Sequence, residues 1–187
     1  IIPSSCHLVI PSPLPFSTQR EPPMLTLLST FLRRTRQHHA LEHATIHLLA
    51  ATNPYVSLAG WSDPLGFTLF GDVATEDVWR AVRQALLRLQ AGEAALARHP
   101  NCGTNLATTV VLVTAAALLG SGGKQRHIAD RITTTGLLVM AALFVSAPLG
   151  MHLQGYTTLA DVGDRWLLNV EKLATPRGQV HRVTFGV

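Results

Sequence analysis

The stretch His38–Leu49 reads HHALEHATIHLL and sets His39, Glu42, His43 and His47 three and four residues apart. On an α-helix that spacing stacks the four side chains along one face. The surrounding Ala, Leu, Glu, Gln and Arg favour helix, and Asn53-Pro54 stops it, so a helix is expected from about Thr35 to Ala51. Leu41, Thr45 and Leu48 form a second stripe opposite the first. Both faces of this helix are therefore expected to be covered, and the rest of the chain is read for what covers them.

Upstream lies the apolar segment MLTLLSTFL, Met24 to Leu32, followed by Arg33, Arg34 and Arg36. It is too short to cross a bilayer, which takes about 20 residues. Two readings fit. It lies in a membrane interface with its arginines toward lipid phosphates, or it is the first two turns of the histidine helix. Residues 1–23 are rich in Pro and Ser and lack the basic start, apolar run and cleavage site of a signal peptide. They read as a tail, with Met24 as a plausible initiator. A tail of this composition gains order only against a partner.

Downstream, Tyr55–Trp61 and Phe67–Phe70 flank a Pro/Gly turn and predict a β-hairpin. Thr75 is expected to cap a helix that runs to about Gln90, with Glu76 and Asp77 in its first turn. Val78, Val82, Leu86 and Leu89 make its apolar stripe; Arg80, Arg83, Gln84 and Arg88 make its wet face. Gly92 interrupts it, and Glu93–Arg98 predict one more helical segment. Then comes the polar turn HPNCGTN, His99 to Asn105.

Two runs free of Asp, Glu, Lys and Arg follow, His99–Gly123 and Ile132–Ala160, each able to cross a hydrocarbon core of about 30 Å as a helix. Across the whole chain 47% of residues are apolar and only 14% charged, against about 25% charged in a soluble domain. The deficit sits in these two runs, which predict a transmembrane hairpin rather than two buried helices of a soluble core. Ala142, Ser146 and Gly150 form a small-residue stripe, as do Ala116 and Gly120, and such stripes let helices approach closely in lipid. Pro148 is expected to kink or end the second span. Trp166–Leu173 and Gln179–Phe185 predict a second β-hairpin that joins the first in one small sheet.

The expected fold is thus an α+β membrane protein, a small helix-and-hairpin soluble domain interrupted by a two-helix transmembrane hairpin. Residues 1–23 form the tail and 24–100 the first soluble region. The membrane hairpin takes 101–153, and 154–187 complete the soluble domain. An even number of spans keeps both soluble pieces on one side. Lys124, Arg126 and Arg131 argue for a cytoplasmic loop. The missing signal peptide argues instead for cytoplasmic soluble pieces, and this cue outweighs the first. The expected location is the bacterial inner membrane, with the soluble part in the cytoplasm. The net charge of +4 is not gathered in a basic block with aromatics, which excludes nucleic acid as the expected partner. The two cysteines, Cys6 and Cys102, form no CxxC or CxxCH, so neither a redox pair nor covalent haem is expected.

The chemistry of the chain gathers at the histidine helix. His39-Ala-Leu-Glu42-His43 matches the HxxEH pattern, in which two histidines bind zinc and the glutamate serves as base for a bound water. Over these five residues the chain resembles inverted-zincin peptidases. That resemblance implies an acidic third ligand well downstream, where this chain has only apolar sequence; Glu76 and Glu93 come too early. His43 and His47 form another pair, and His99 and Cys102 are placed to complete a tetrahedral site with two helix histidines. Zinc or another transition metal suits such ligands, and non-covalent haem between two imidazoles suits them less. The competing reading is structural, with the imidazoles bonded to Glu42, to backbone or to the HPNCGTN turn. Glu42, buried among histidines, would be ionised and would raise their pKa values.

The run HALEHATIHLL, then FTLFGDVATEDVWRAVRQALLRLQAGEAALARHPNCGTN, then a two-span hairpin, resembles an uncharacterised family of small bacterial membrane proteins associated with photosynthetic bacteria. The resemblance covers about Arg36 to the C-terminus. It implies a bioenergetic membrane and no particular activity. Two functions are carried forward. One is a non-catalytic accessory subunit of a photosynthetic or respiratory electron-transfer complex, with the lipid bilayer and other membrane subunits as partners. The alternative is a membrane-bound zinc-dependent hydrolase, with Glu42 as base and His39 and His43 as ligands.

Overall fold

The computed structural model describes residues 24–122, 127–175 and 178–186; the expected tail, residues 1–23, lies outside them. The histidine helix, α1, spans Met24–Thr52 as one continuous rod. The segment from Met24 to Leu32 is therefore the start of α1, and its leucines and Phe31 are exposed. Its hydroxyls fold back onto the helix, Ser29 and Thr30 donating to the Thr26 carbonyl and Thr35 to that of Phe31. Two of the arginines that follow hold protein rather than project freely. Arg33 pairs with Asp161 and Asp164 at 3.9 and 3.6 Å, and Arg36 donates to the carbonyls of Gly155 and Thr158.

The first hairpin is shifted from its expected bounds. Strand β1 is Ala59–Asp63 and β2 is Gly66–Phe70, paired antiparallel with Asp63 opposite Gly66. Tyr55–Leu58 stays out of the sheet because β2 offers only five ladder positions. Helix α2 is Thr75–Gln90, and its expected stripe of Val78, Val82, Leu86 and Leu89 is buried. Its cap, however, is Ala74, whose carbonyl accepts from the Asp77 and Val78 amides. The Thr75 hydroxyl is drawn instead to the buried His181 ring, 3.1 Å away. A 3₁₀ turn, Ala94–Ala97, follows Gly92, whose φ of 94° lies where glycine is favoured.

Strands β3, Trp166–Thr175, and β4, Gly178–Gly186, complete one antiparallel sheet in the order β1-β2-β4-β3. Alternation places Phe67, Leu69, Val183 and Phe185 on one face, against α1 and α2, and these make the core with Leu41, Leu49, Val78 and Val82. The other face is tied by Arg182, which grips Asp63 with two bonds of 2.7 and 2.8 Å and also reaches Thr68. The expected α+β class and the joining of both hairpins into one sheet are what the structure has.

His181 sits fully buried on β4, and its Nδ1 meets no partner among the described residues. Burial, and then the charge of Lys172, hold its pKa below 6.5. The unfolded chain therefore takes the proton more readily than the folded one, so the stability contributed by neutral His181 is complete above 6.5 and is lost as pH falls toward the folded value. We expect the unfolding temperature to drop on acidification from about pH 7 to about pH 5, and to drop less steeply in His181→Leu. Equal slopes in the two proteins contradict this.

Between the two hairpins stand α3, Gly103–Ser121, and α4, Ile128–Thr157, packed against each other. Both are long and apolar enough to cross a membrane, and only 11% and 6% of their apolar stretches are buried within the chain. They are therefore not the core of the α+β unit. Their contact uses the expected small residues: Ala116, Gly120, Ser146 and Gly150 are buried, and a Cβ at Gly150 would overlap Asn105. Pro148 does not end α4, which continues for nine more residues, Leu149–Thr157, and carries Gln154 and Thr157 to the base of the hairpin.

Candidate metal centre

Where α1 crosses the base of the hairpin, His39 and His43 face Cys102, the residue that caps α3. The Cys102 sulfur accepts the Thr104 amide at 3.4 Å, so a short polar side chain is needed there to end the turn and start the helix. The His39 Nε2 stands 3.5 Å from that sulfur. The His39 and His43 rings meet edge to face with centroids 4.4 Å apart. One donor atom from each of His39, His43 and Cys102 lies within 4.8 Å of the others, and among the described residues this is the one such group.

Each helix histidine is oriented from behind. His39 Nδ1 is 3.1 Å from the Thr157 carbonyl at the end of α4, and His43 Nδ1 is 2.8 Å from the Ala97 carbonyl. A carbonyl only accepts, so each Nδ1 carries a proton, and Nε2 is the ring nitrogen left for a metal. The structural reading of these imidazoles thus holds for the Nδ1 of each ring, and the His39 Nε2 meets the Cys102 sulfur. His47 and His99 stand beside the group rather than in it, their rings 4.5 Å apart. His47 Nε2 donates to the Arg98 carbonyl at 2.7 Å. His99 Nδ1 accepts the Asn101 amide at 3.2 Å, which places its own proton on Nε2 and leaves that nitrogen no lone pair for a metal.

Glu42 occupies the same buried level and takes a 2.5 Å bond from the Ser62 hydroxyl on β1. Gly60 makes room for it, since a Cβ there would overlap the carboxylate. Burial raises the Glu42 pKa, against the Ser62 bond and the two imidazoles, which lower it. Desolvation outweighs these partners, so Glu42 gives up its proton less readily than a free carboxyl. His39 is raised: burial works to lower it, but the Cys102 bond and the charge of Glu42 prevail. Burial works to raise the Cys102 thiol, yet its bonds with His39, His43 and the Thr104 amide bring it down to about 5. His99 is pushed down to about 4, by burial and then by His47 and His43. The group thus offers one sulfur, two imidazole nitrogens and a nearby carboxyl, a donor set that suits zinc and its neighbours once the metal displaces their protons.

The family profile of a domain of unknown function, DUF6391, matches residues 34–170. The chain belongs to the DUF6391 family. The match takes in His39, Glu42, His43, Cys102, Gln154 and Thr157, and it stops before β4. An uncharacterized protein of the cyanobacterium Picosynechococcus is 37% identical over 137 residues, 67% of this chain and 65% of that protein. The chain thus spans about 65% of the length of this relative. No solved structure gives a significant match.

Three supporting residues escaped the sequence reading. Ser62 and Thr157 are hydroxyl residues in ordinary turn and helix-end surroundings, and nothing in the sequence marks them. Gln154 carried a signal, a lone amide near the end of a charge-free run. Its side chain accepts the His99 amide and donates to the His99 carbonyl and to Asn105, each at 2.9 Å.

Proposed function

We propose that this protein is an integral inner-membrane subunit whose two-helix hairpin lies in the bilayer and whose α+β unit rests on the cytoplasmic surface. In this reading it is a non-catalytic accessory part of a larger electron-transfer assembly in a bioenergetic membrane of photosynthetic bacteria. The observation that carries the membrane part is the outward apolar surface of α3 and α4, where Val111, Leu118, Leu119, Leu137 and Phe144 are exposed. An apolar patch of that size needs lipid or a partner. A groove of about 410 Å³ between the helices, lined by Ala107, Val111, Leu149 and Leu153, suits an acyl chain or a neighbouring helix. The exposed start of α1, with its hydroxyls bonded inward, suits the interface beside them. The cyanobacterial relative supports the setting.

The test is extraction from the native membrane in mild detergent. The expected result is a stoichiometric assembly carrying redox cofactors, with this chain as one member. A lone particle of 20.2 kDa plus detergent overturns the accessory reading.

A second reading, a zinc-dependent hydrolase, is favoured by one observation. Cys102 stands within 4.8 Å of both histidines, where the HxxEH pattern needs a third ligand, and Glu42 is buried beside it with a raised pKa. In that case Glu42→Gln keeps bound metal and loses metal-dependent peptide hydrolysis. Hydrolysis unchanged by the substitution removes this reading.

A further inference from the structure

We propose that His39 Nε2, His43 Nε2 and Cys102 Sγ bind one divalent ion of the zinc class, and that this ion clasps α1 to the first turn of α3. The inference does not depend on membership of a larger assembly.

Three observations carry it. The first is distance. Zinc bonds of about 2.3 Å to sulfur and about 2.0–2.1 Å to nitrogen, at a tetrahedral angle, set the two donors about 3.6 Å apart. The His39 Nε2 and Cys102 Sγ are 3.5 Å apart. The second is the pair of tethers. Histidines that bind metals characteristically give their other N–H to a carbonyl or carboxylate, which fixes the ring and raises its basicity. Here Thr157 and Ala97 supply the two carbonyls. The third is burial in a shell closed by four separate segments. The ligands come from α1 and the α3 cap, and their tethers from the end of α4 and the 3₁₀ turn. Three protein donors leave a fourth position, and the Glu42 carboxyl is buried one turn along α1 from His39.

Placed there, an ion binds N-terminal and mid-chain segments 63 residues apart at one point. Its binding free energy then becomes holding energy between the α+β unit and the base of the helix pair.

The experiment uses full-length protein with Cys6→Ser, so that one thiol remains, purified in detergent without chelators. Elemental analysis is expected to find about one zinc-class ion per chain. Chelator-stripped protein titrated with Co²⁺ is expected to gain a near-ultraviolet thiolate charge-transfer band together with tetrahedral visible bands, displaced by Zn²⁺. Zn²⁺ is expected to slow alkylation of Cys102 at least tenfold. Cys102→Ser and His43→Ala lose the ion, while His152→Ala, a substitution on an exposed face of α4, retains it. Parent protein that takes up neither ion, or a cobalt spectrum without the thiolate band, overturns the proposal and leaves a thiolate–imidazolium pair in its place. These parent-protein readouts decide the matter even if the ligand variants fail to fold, and none of them reads the size of the native particle.

Discussion

Phe67→Ala is expected to destabilise the α+β unit by about 3–5 kcal/mol. Phe67 is fully buried at the middle of the sheet, opposite Val183 and with its ring centroid 5.9 Å from that of Phe185. Its neighbours are held by the β2–β4 ladder on one side and by α1 on the other, so they cannot close over the space it leaves. Both the lost transfer energy and the residual cavity count against the folded state. In a unit of this size each kcal/mol lowers the unfolding temperature by about 4 °C or more. Phe67→Leu keeps most of the volume and is expected to lose less than about 1.5 kcal/mol. Thermal unfolding followed by circular dichroism separates the two, and a Phe67→Ala protein that melts with the parent contradicts this account of the core.

Gln154→Leu is expected to release the His99–Cys102 turn. Gln154 is fully buried, and its amide serves both backbone groups of His99 as a neighbouring strand would. Leucine fits the volume but leaves that N–H without a partner, at about 1–3 kcal/mol, and leaves the carbonyl only the Cys102 amide. Gln154→Glu fares no better, because a carboxylate would face the His99 carbonyl and the Asn105 oxygen, which now accept from Nε2. Arg98, exposed beside the turn, is the site at which trypsin reads the change. A local loss of about 2 kcal/mol raises the open fraction on the order of 30-fold, and cleavage at Arg98 rises with it. Unchanged cleavage means that Gln154 does not hold the turn. The turn also carries Cys102, so zinc retention is expected to fall in parallel.

What could be read from residues alone was whatever repeats locally. The period of three and four in α1 and α2, the charge-free runs of α3 and α4, and the alternation in β4 each state their own element, and these were legible. The errors lie where a distant partner decides. Thr75 has the composition of a cap, but a buried imidazole on β4 claims its hydroxyl. Tyr55–Leu58 has strand composition, but the five-residue length of β2 leaves it nothing to pair with. At the candidate centre the pair His39 and His43 was legible from spacing, and Cys102 was one of three further ligands considered, with His47 and His99. That Cys102 joins the pair while His99 stands beside it is a matter of a few ångströms between α1 and the HPNCGTN turn, which no spacing encodes.

The order of strands in the sheet also governs when the unit can come into being. β2 pairs with β1 as soon as both exist, but its other edge waits for β4, and Thr68 meets Arg182 across 114 residues. Everything between them, including both long apolar helices, must be synthesised and folded back before that edge is covered. Until then Phe67 and Leu69 stand against no β4, and the half-made chain is an open template for wrong pairing. Closure of the sheet therefore requires a chain whose helix pair has already turned back on itself.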